Sequence, residues 1–152
     1  MKAPGRPKRR INPKFARFQM QIGRSATHRY GVFALENIPA NRRVIEYTGK
    51  HLTLEQAFRI HAPKDNYIAG IIDCKLYVDG RRGGSGAELM NHSCAPNLVS
   101  RRIGHHLYLY SLRKIRAGEE LTWHYHYPIK LKRVPCRCGA RHCRGTLRYV
   151  WE

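Results

Sequence analysis

Three cysteines fall within eight residues near the C-terminus, in the string PCRCGARHC that carries Cys136, Cys138 and Cys143. No other feature of the chain limits its fold as much. Disulfides at that density would be strained, because a bridge requires a narrow range of Cα separations and a defined dihedral. Three thiolates at short spacing suit a tetrahedral metal, zinc first, and a four-coordinate structural site needs one more ligand. The residues alone leave that ligand open among Cys94, Cys74, His142 and the more distant histidines. A chain without a secretion signal is expected to keep its thiols reduced, which favours a metal over disulfides.

Charge is the second constraint. Twenty-nine Lys and Arg stand against ten acidic residues, a net +19 over 152 residues. No acid precedes Glu36, and after Glu120 only Glu152 opposes the seven basic residues from Lys130 to Arg148. Such a field attracts polyanions and exceeds what solubility requires. A nucleic-acid contact through the basic N-terminal arm and the basic C-terminal segment is therefore expected. No apolar stretch approaches the length of a membrane span, and no apolar segment follows the charged N-terminus, so an intracellular protein with no membrane contact is expected.

Residues 1–19 are rich in Pro, Gly and basic side chains with little periodicity, and read as a basic flexible arm. From Met20 the chain turns into short β-like runs, MQIGRS, YGVFAL, RRVIEYTG, YIAGII, KLYVDG and HLYLYSLRKI, broken by Gly, Pro and Asn. Residues 53–61 form the best helix candidate, with Thr53 as N-cap and Gln56 as its capping-box partner. One domain of many short strands and one or two short helices, mostly β, is the expected class.

Read together, YGVFALENIPAN, EYTGK, ELMNHSCAPNL, GEELTWHYHY and CRCGARHCRGTL resemble the SET domain with its post-SET zinc segment. The resemblance covers roughly residues 20–150. It implies a β-clip-like fold of small curved sheets with a C-terminal pseudoknot, a SET domain over 20–128 and a post-SET segment over 129–152. It further implies an S-adenosylmethionine-dependent protein-lysine N-methyltransferase acting on a histone or histone-like, nucleic-acid-associated basic protein, in chromatin or the nucleus of a eukaryote or the nucleoid and cytoplasm of a prokaryote. By the same resemblance Cys94 of NHSC joins Cys136, Cys138 and Cys143 as the fourth zinc ligand, and Cys74 is left as a buried thiol.

The resemblance also distributes the active-site roles. Tyr125 is the expected catalytic tyrosine, Tyr47 lines the lysine channel, and Trp123 stands where a Phe or Tyr limits how many methyl groups fit. Tyr30, Gly31, Tyr67, Asn91, His92 and Leu147 are the expected cofactor contacts. Methyl transfer from a sulfonium needs alignment, exclusion of water and a deprotonated lysine, which aromatic walls favour. Three positions depart from the family pattern: Arg29 for the first glycine of Gly-x-Gly, Glu88 for an Arg, and His124 for an acid. These support an alternative, a catalytically weak SET module acting as a zinc-stabilised nucleic-acid- or chromatin-binding protein, which retention of Tyr47, Asn91, His92 and Tyr125 opposes.

Overall fold

Alternation of apolar and polar residues yields short strands that close on one buried face. The structure, a computed structural model, describes residues 6, 8–60, 68–71, 76–125 and 134–147. Its strands are β1 (Met20–Arg24), β2 (Tyr30–Ala34), β3 (Arg43–Tyr47), β4 (Lys50–Thr53), β5 (Ile68–Ile71), β6 (Leu76–Asp79), β7 (Asn91–His92), β8 (Leu98–Ile103), β9 (His106–Ser111) and β10 (Glu120–Trp123). One helix, α1 (Leu54–Ile60), and a 3-10 turn over Ala87–Leu89 complete the described elements.

The expected helix forms where its cap predicts. Thr53 N–H donates to Gln56 Oε1 at 2.9 Å and Gln56 N–H donates to Thr53 Oγ1 at 3.2 Å, a reciprocal capping box. Strands β7 and β8 were not anticipated, because NH is too short and LVSRRI lacks clean alternation. Pairing decides them: β8 joins β9 over six residue pairs, from Leu98 opposite Ser111 to Ile103 opposite His106.

The larger sheet runs β1-β2-β10-β8-β9-β3, with β7 alongside β10, while β4-β6-β5 forms a smaller antiparallel sheet. The late strand β10 thus enters the middle of the sheet. It pairs antiparallel with β2 and parallel with both β7 and β8. That interleaving carries the Asn91-His92 pair directly beside Thr122-Trp123, so residues thirty positions apart in the chain build one site.

The core sits beneath this sheet. Val32, Val44, Ile45, Leu98, Leu107, Leu109 and Leu121 are at most 1% exposed. Removing side chains of this size from water is the main term stabilising such a fold. Strand β9 shows the pattern cleanly: Leu107, Leu109 and Ser111 point inward, whereas His106, Tyr108 and Tyr110 face out.

The flexible arm expected over residues 1–19 is shorter than that range. Ile11, Ala16 and Phe18 pack against the core. Asn12 N–H donates to Ser85 O at 2.8 Å, Arg17 N–H to Val44 O at 2.9 Å, and Glu46 N–H to Phe15 O at 3.0 Å. The reason is the apolar residues interleaved among the charges, which contribute burial that composition alone conceals.

Candidate functional site

Two clusters meet around β7 and β10. In the first, the amide of Asn91 ties three elements together: Nδ2 donates to Tyr30 O and to Glu120 Oε1, each at 2.8 Å. Ser25 Oγ donates to the other carboxylate oxygen of Glu120 at 2.9 Å. Both amide protons of Asn91 are therefore committed within the protein, which leaves Oδ1 as an acceptor. Glycine is required at position 31, since a Cβ there would lie 2.2 Å from Glu120 Oε1 and 3.1 Å from Asn91 Nδ2. Glu120 was not singled out from the sequence. The GEEL string was visible, but only the fold shows which of its acids faces Asn91.

The second cluster is aromatic. Trp123 stands between Tyr47 and Tyr125, with ring centroids 5.9 and 5.3 Å away. Tyr47 is buried, and the Trp123 indole Nε1 is a buried donor with no hydrogen-bond partner among the described residues. The Tyr125 hydroxyl donates its proton to Met90 O.

His92 connects this cluster to the cysteines. Its Nδ1 accepts the Tyr125 backbone N–H at 2.9 Å, so in the neutral ring the proton rests on Nε2. Nε2 lies 3.3 Å from Cys94 Sγ and donates to it. His92 thus spans from the thiols to the backbone of the tyrosine.

Around Cys94 the thiols converge. Cys94 Sγ is 3.8 Å from Cys136 Sγ and 4.0 Å from Cys143 Sγ. The donor atoms of His92, Cys94, Cys136 and Cys138 all lie within 4.8 Å of one another. A tetrahedron of sulfurs about 2.3 Å from zinc has edges of about 3.8 Å, so the spacing fits that metal. Backbone N–H groups of Cys94, Arg144 and Gly145 point at Cys138, Cys94 and Cys143. Burial pushes the Cys94 and Cys136 thiols up. At Cys138 burial acts in the same sense, but the Cys94 and Ala140 N–H donors and the thiols of Cys143 and Cys136 outweigh it and bring the group down to about 6. Four thiols packed this closely can all ionise only around a cation.

The three departures from the family pattern are accommodated, two of them by a hydrogen-bond partner. Arg29 occupies ordinary backbone, since Asn41 is the one described non-glycine residue with positive φ, and so needs no glycine there. Glu88 is buried and accepts the Gly86 N–H at 2.9 Å. Burial, with a smaller contribution from Asp79, raises its carboxyl to about 7. The neighbouring Asp79 is held by Arg81, whose guanidinium engages both of its carboxylate oxygens at 2.8 and 3.1 Å. His124 Nε2 lies against Arg144 Nη2, which makes it an acceptor where the family carries an acid.

Of the remaining expected residues, Leu147 is buried and its N–H donates to Val134 O at 2.9 Å. Tyr67 and Cys74 lie outside the described residues. Arg9 of the N-terminal segment stacks over Tyr30, its guanidinium carbon 3.9 Å from the ring centroid.

The family model for the SET domain matches residues 29–126. The chain belongs to the SET-domain family. Among curated relatives, a Schizosaccharomyces pombe histone-lysine N-methyltransferase specific for H3 lysine-4 is 39% identical over 140 residues, covering 85% of this chain and 15% of the relative. The Drosophila melanogaster histone-lysine N-methyltransferase SETD1 is 34% identical over 144 residues, covering 88% and 9%. This SET-domain chain therefore spans a small part of the length of the curated relatives it matches. Its fold superposes on KRYPTONITE in complex with mCHG DNA and S-adenosylhomocysteine, with a TM-score of 0.72 at 31% identity, covering 87% of this chain and 29% of that one. A second KRYPTONITE structure, with mCHH DNA, an H3(1-15) peptide and S-adenosylhomocysteine, gives 0.71 at 30% identity, covering 87% and 30%. The mostly-β architecture is thus that of the family. Among the described residues no helix is long and apolar enough to cross a membrane.

Proposed function

We propose that this chain is an S-adenosylmethionine-dependent protein-lysine N-methyltransferase acting on a histone or histone-like basic protein, in chromatin or in a bacterial nucleoid. The observation that carries the reading is the Tyr125 hydroxyl, held by donation to Met90 O beside Tyr47 and Trp123. When bound, S-adenosylmethionine supplies a methyl group on a sulfonium that needs no acid to leave. The protein's task is alignment and dehydration. Tyr125 turns lone pairs toward the site and orients the amine. Tyr47 and Trp123 wall the aliphatic stem, and their apolar surroundings disfavour an ammonium, so the lysine is held deprotonated. The unpartnered Trp123 N–H needs an acceptor, and the neutral amine or a water provides one. Its bulk points to mono- or dimethylation.

Tyr30, Gly31, Asn91, His92, Leu147 and, outside the described residues, Tyr67 would hold the cofactor. Asn91 Oδ1, left over as an acceptor, suits its ammonium group. Cys94, Cys136, Cys138 and Cys143 would hold a structural zinc, with His92 donating to the Cys94 thiolate from outside the ligand set. That choice rests on the Nδ1 acceptor role of His92, which leaves Nε2 protonated and unable to coordinate. The ordinary backbone of Arg29 and the partners of Glu88 and His124 weaken the main support for a catalytically weak module.

The test is mass spectrometry of candidate basic proteins after incubation with the enzyme and isotopically labelled cofactor. Tyr125→Phe should lower turnover about 100-fold with an unchanged melting temperature, an effect in the range of a positioned catalytic group. No methylated lysine on any substrate, from protein that is folded and binds cofactor, defeats the reading.

A further inference from the structure

The outward face of β8, β9 and β3 carries a basic and aromatic surface, separate from the Tyr47, Trp123 and Tyr125 cluster. Across these strands Val99, Tyr110 and Arg43 lie in register, as do Arg101, Tyr108 and Glu46. Residues opposite each other share a face, so two arginines and two tyrosines stand together on the solvent side. The contacts are specific. The Arg43 guanidinium lies 3.9 Å from the Tyr108 ring centroid and 5.9 Å from that of Tyr110, and its Nε donates to the Tyr110 hydroxyl at 3.3 Å. Arg101 lies 4.7 Å from the Tyr110 centroid. At one edge Arg17, Arg42 and Arg43 rim a shallow open concavity floored by Phe18.

Among the described residues the one acid on this face, Glu46, attracts Arg43 without forming an ion pair with it. Glu46 is engaged by His106 at 2.6 Å. Among the described residues Arg17, Arg42, Arg43 and Arg101 form no ion pair. Free surface arginines ordinarily fan into solvent to reduce repulsion and keep rotamer entropy. Here the tyrosine rings hold two of them over the sheet, with their outer N–H donors unspent among the described residues. A planar guanidinium fixed in this way matches a phosphate bidentately, and little freedom is lost on binding.

We propose that this face binds nucleic acid through its phosphates. The alternative of an acidic protein is less well matched. A protein interface needs buried apolar or aromatic anchors at its centre, whereas Tyr108 and Tyr110 are already covered by guanidinium groups and Ile103 is the large exposed apolar side chain on these strands. Nucleic-acid interfaces are polar and strongly positive, as this one is. The net +19 of the chain supplies long-range attraction, and the stacked arginines give it a place to land. This site is not the N-terminal arm or the C-terminal segment, and its existence does not depend on methyl transfer.

Fluorescence anisotropy on the zinc-loaded full chain, with labelled single-stranded and duplex DNA of about twenty nucleotides, tests it. The face variant Arg17→Gln/Arg43→Gln/Arg101→Gln is compared with Lys50→Gln/Lys114→Gln/Arg116→Gln, which removes the same charge elsewhere. The face variant should lose at least tenfold in affinity and the control less than threefold. For duplex the slope of log affinity against log salt should fall by about 2 to 3, at roughly 0.9 per lost phosphate contact. Arg43→Lys, which keeps the charge and loses the stacking, should weaken binding about threefold. If the triple variant melts early, Arg101→Gln alone, exposed on β8, carries the test with a loss of about threefold. The two arms tell whether one strand or a duplex is preferred. Equal losses in the face and control variants overturn the proposal in favour of diffuse charge. Tighter binding of a poly-glutamate peptide than of DNA overturns it in favour of an acidic protein.

Discussion

The sheet core and the C-terminal segment 134–147 are stabilised by different physics. Beneath the sheet, Val32, Val44, Ile45, Leu98, Leu109 and Leu121 form a continuous apolar cluster from which water is excluded. In the C-terminal segment the described buried apolar residues are Cys136 and Leu147, and its pairing is one isolated bridge between Pro135 and Thr146. What draws that segment onto the domain is the thiol group around Cys94. The core is therefore expected to stand by itself and the segment to depend on a metal bound by its thiols, although the two touch at His92. A site assembled across that boundary can be dismantled from one side while the fold survives.

Chelation should break the comparison most strongly. Structural zinc in small peptides contributes on the order of 10 kcal/mol, so a chelator, or Cys138→Ser, should release residues 134–147 while the sheet stays folded. Hydrogen exchange is the measurement: protection lost around 134–147 and kept in β8 and β9. Uniform loss of protection would mean that the core also rests on the metal.

The converse is a cavity in the core. Leu109→Ala should cost about 2–5 kcal/mol in denaturant unfolding, because Leu109 is fully buried. Zinc content by elemental analysis should stay near one per chain below the unfolding midpoint. A variant that loses zinc before its sheet unfolds would show the two regions to be coupled more tightly than their packing implies.

A smaller effect sharpens the boundary. Glu88 lies in the 3-10 turn that leads into β7, where a Cβ on Gly84 would sit 2.2 Å from its Oε1. Its carboxyl rises from an ordinary 4.5 to about 7 by burial. A group raised on folding contributes stability that is fully present below its unfolded value and is lost as pH climbs through the folded one. The chain should therefore lose roughly 3 kcal/mol between pH 4.5 and 8 through this residue. Glu88→Gln should flatten that slope in melts across the range and raise the melting temperature at pH 8. An unchanged slope would place the pH dependence elsewhere. The smallest effect belongs to α1, where Thr53→Ala removes half of the capping box and should cost about 1 kcal/mol.

Much of this arrangement is legible along the chain because its causes are local. Period-2 alternation marks β9, and short apolar runs broken by Gly, Pro and Asn mark β1, β2 and β3. The offset of three between Thr53 and Gln56 marks the helix start. The close spacing of Cys136, Cys138 and Cys143 marks a metal, and the family pattern reaches Cys94. What was read wrongly, or not at all, has a common cause. Residues up to 19 look like arm in composition because their charges conceal Ile11, Ala16 and Phe18, whose partners lie elsewhere in the chain. Strand β8 was missed because its pairing, not its composition, makes it a strand.

The sequence by itself determined the family, the thiol set and the identity of the aromatic residues, since each is written in short strings whose spacing has a direct chemical meaning. Only the tertiary structure decided that Glu120 faces Asn91, which nitrogen of His92 carries its proton, that Arg81 answers Asp79, and that Arg43 and Arg101 lie over Tyr108 and Tyr110. Most of these contacts join residues far apart in the chain, and Arg81 is brought to Asp79 by the turn that follows β6. Their geometry is set by how β7, β8 and β10 interleave, and a hydrogen bond or a stacked ring exists only when that interleaving brings its partners within a few ångströms.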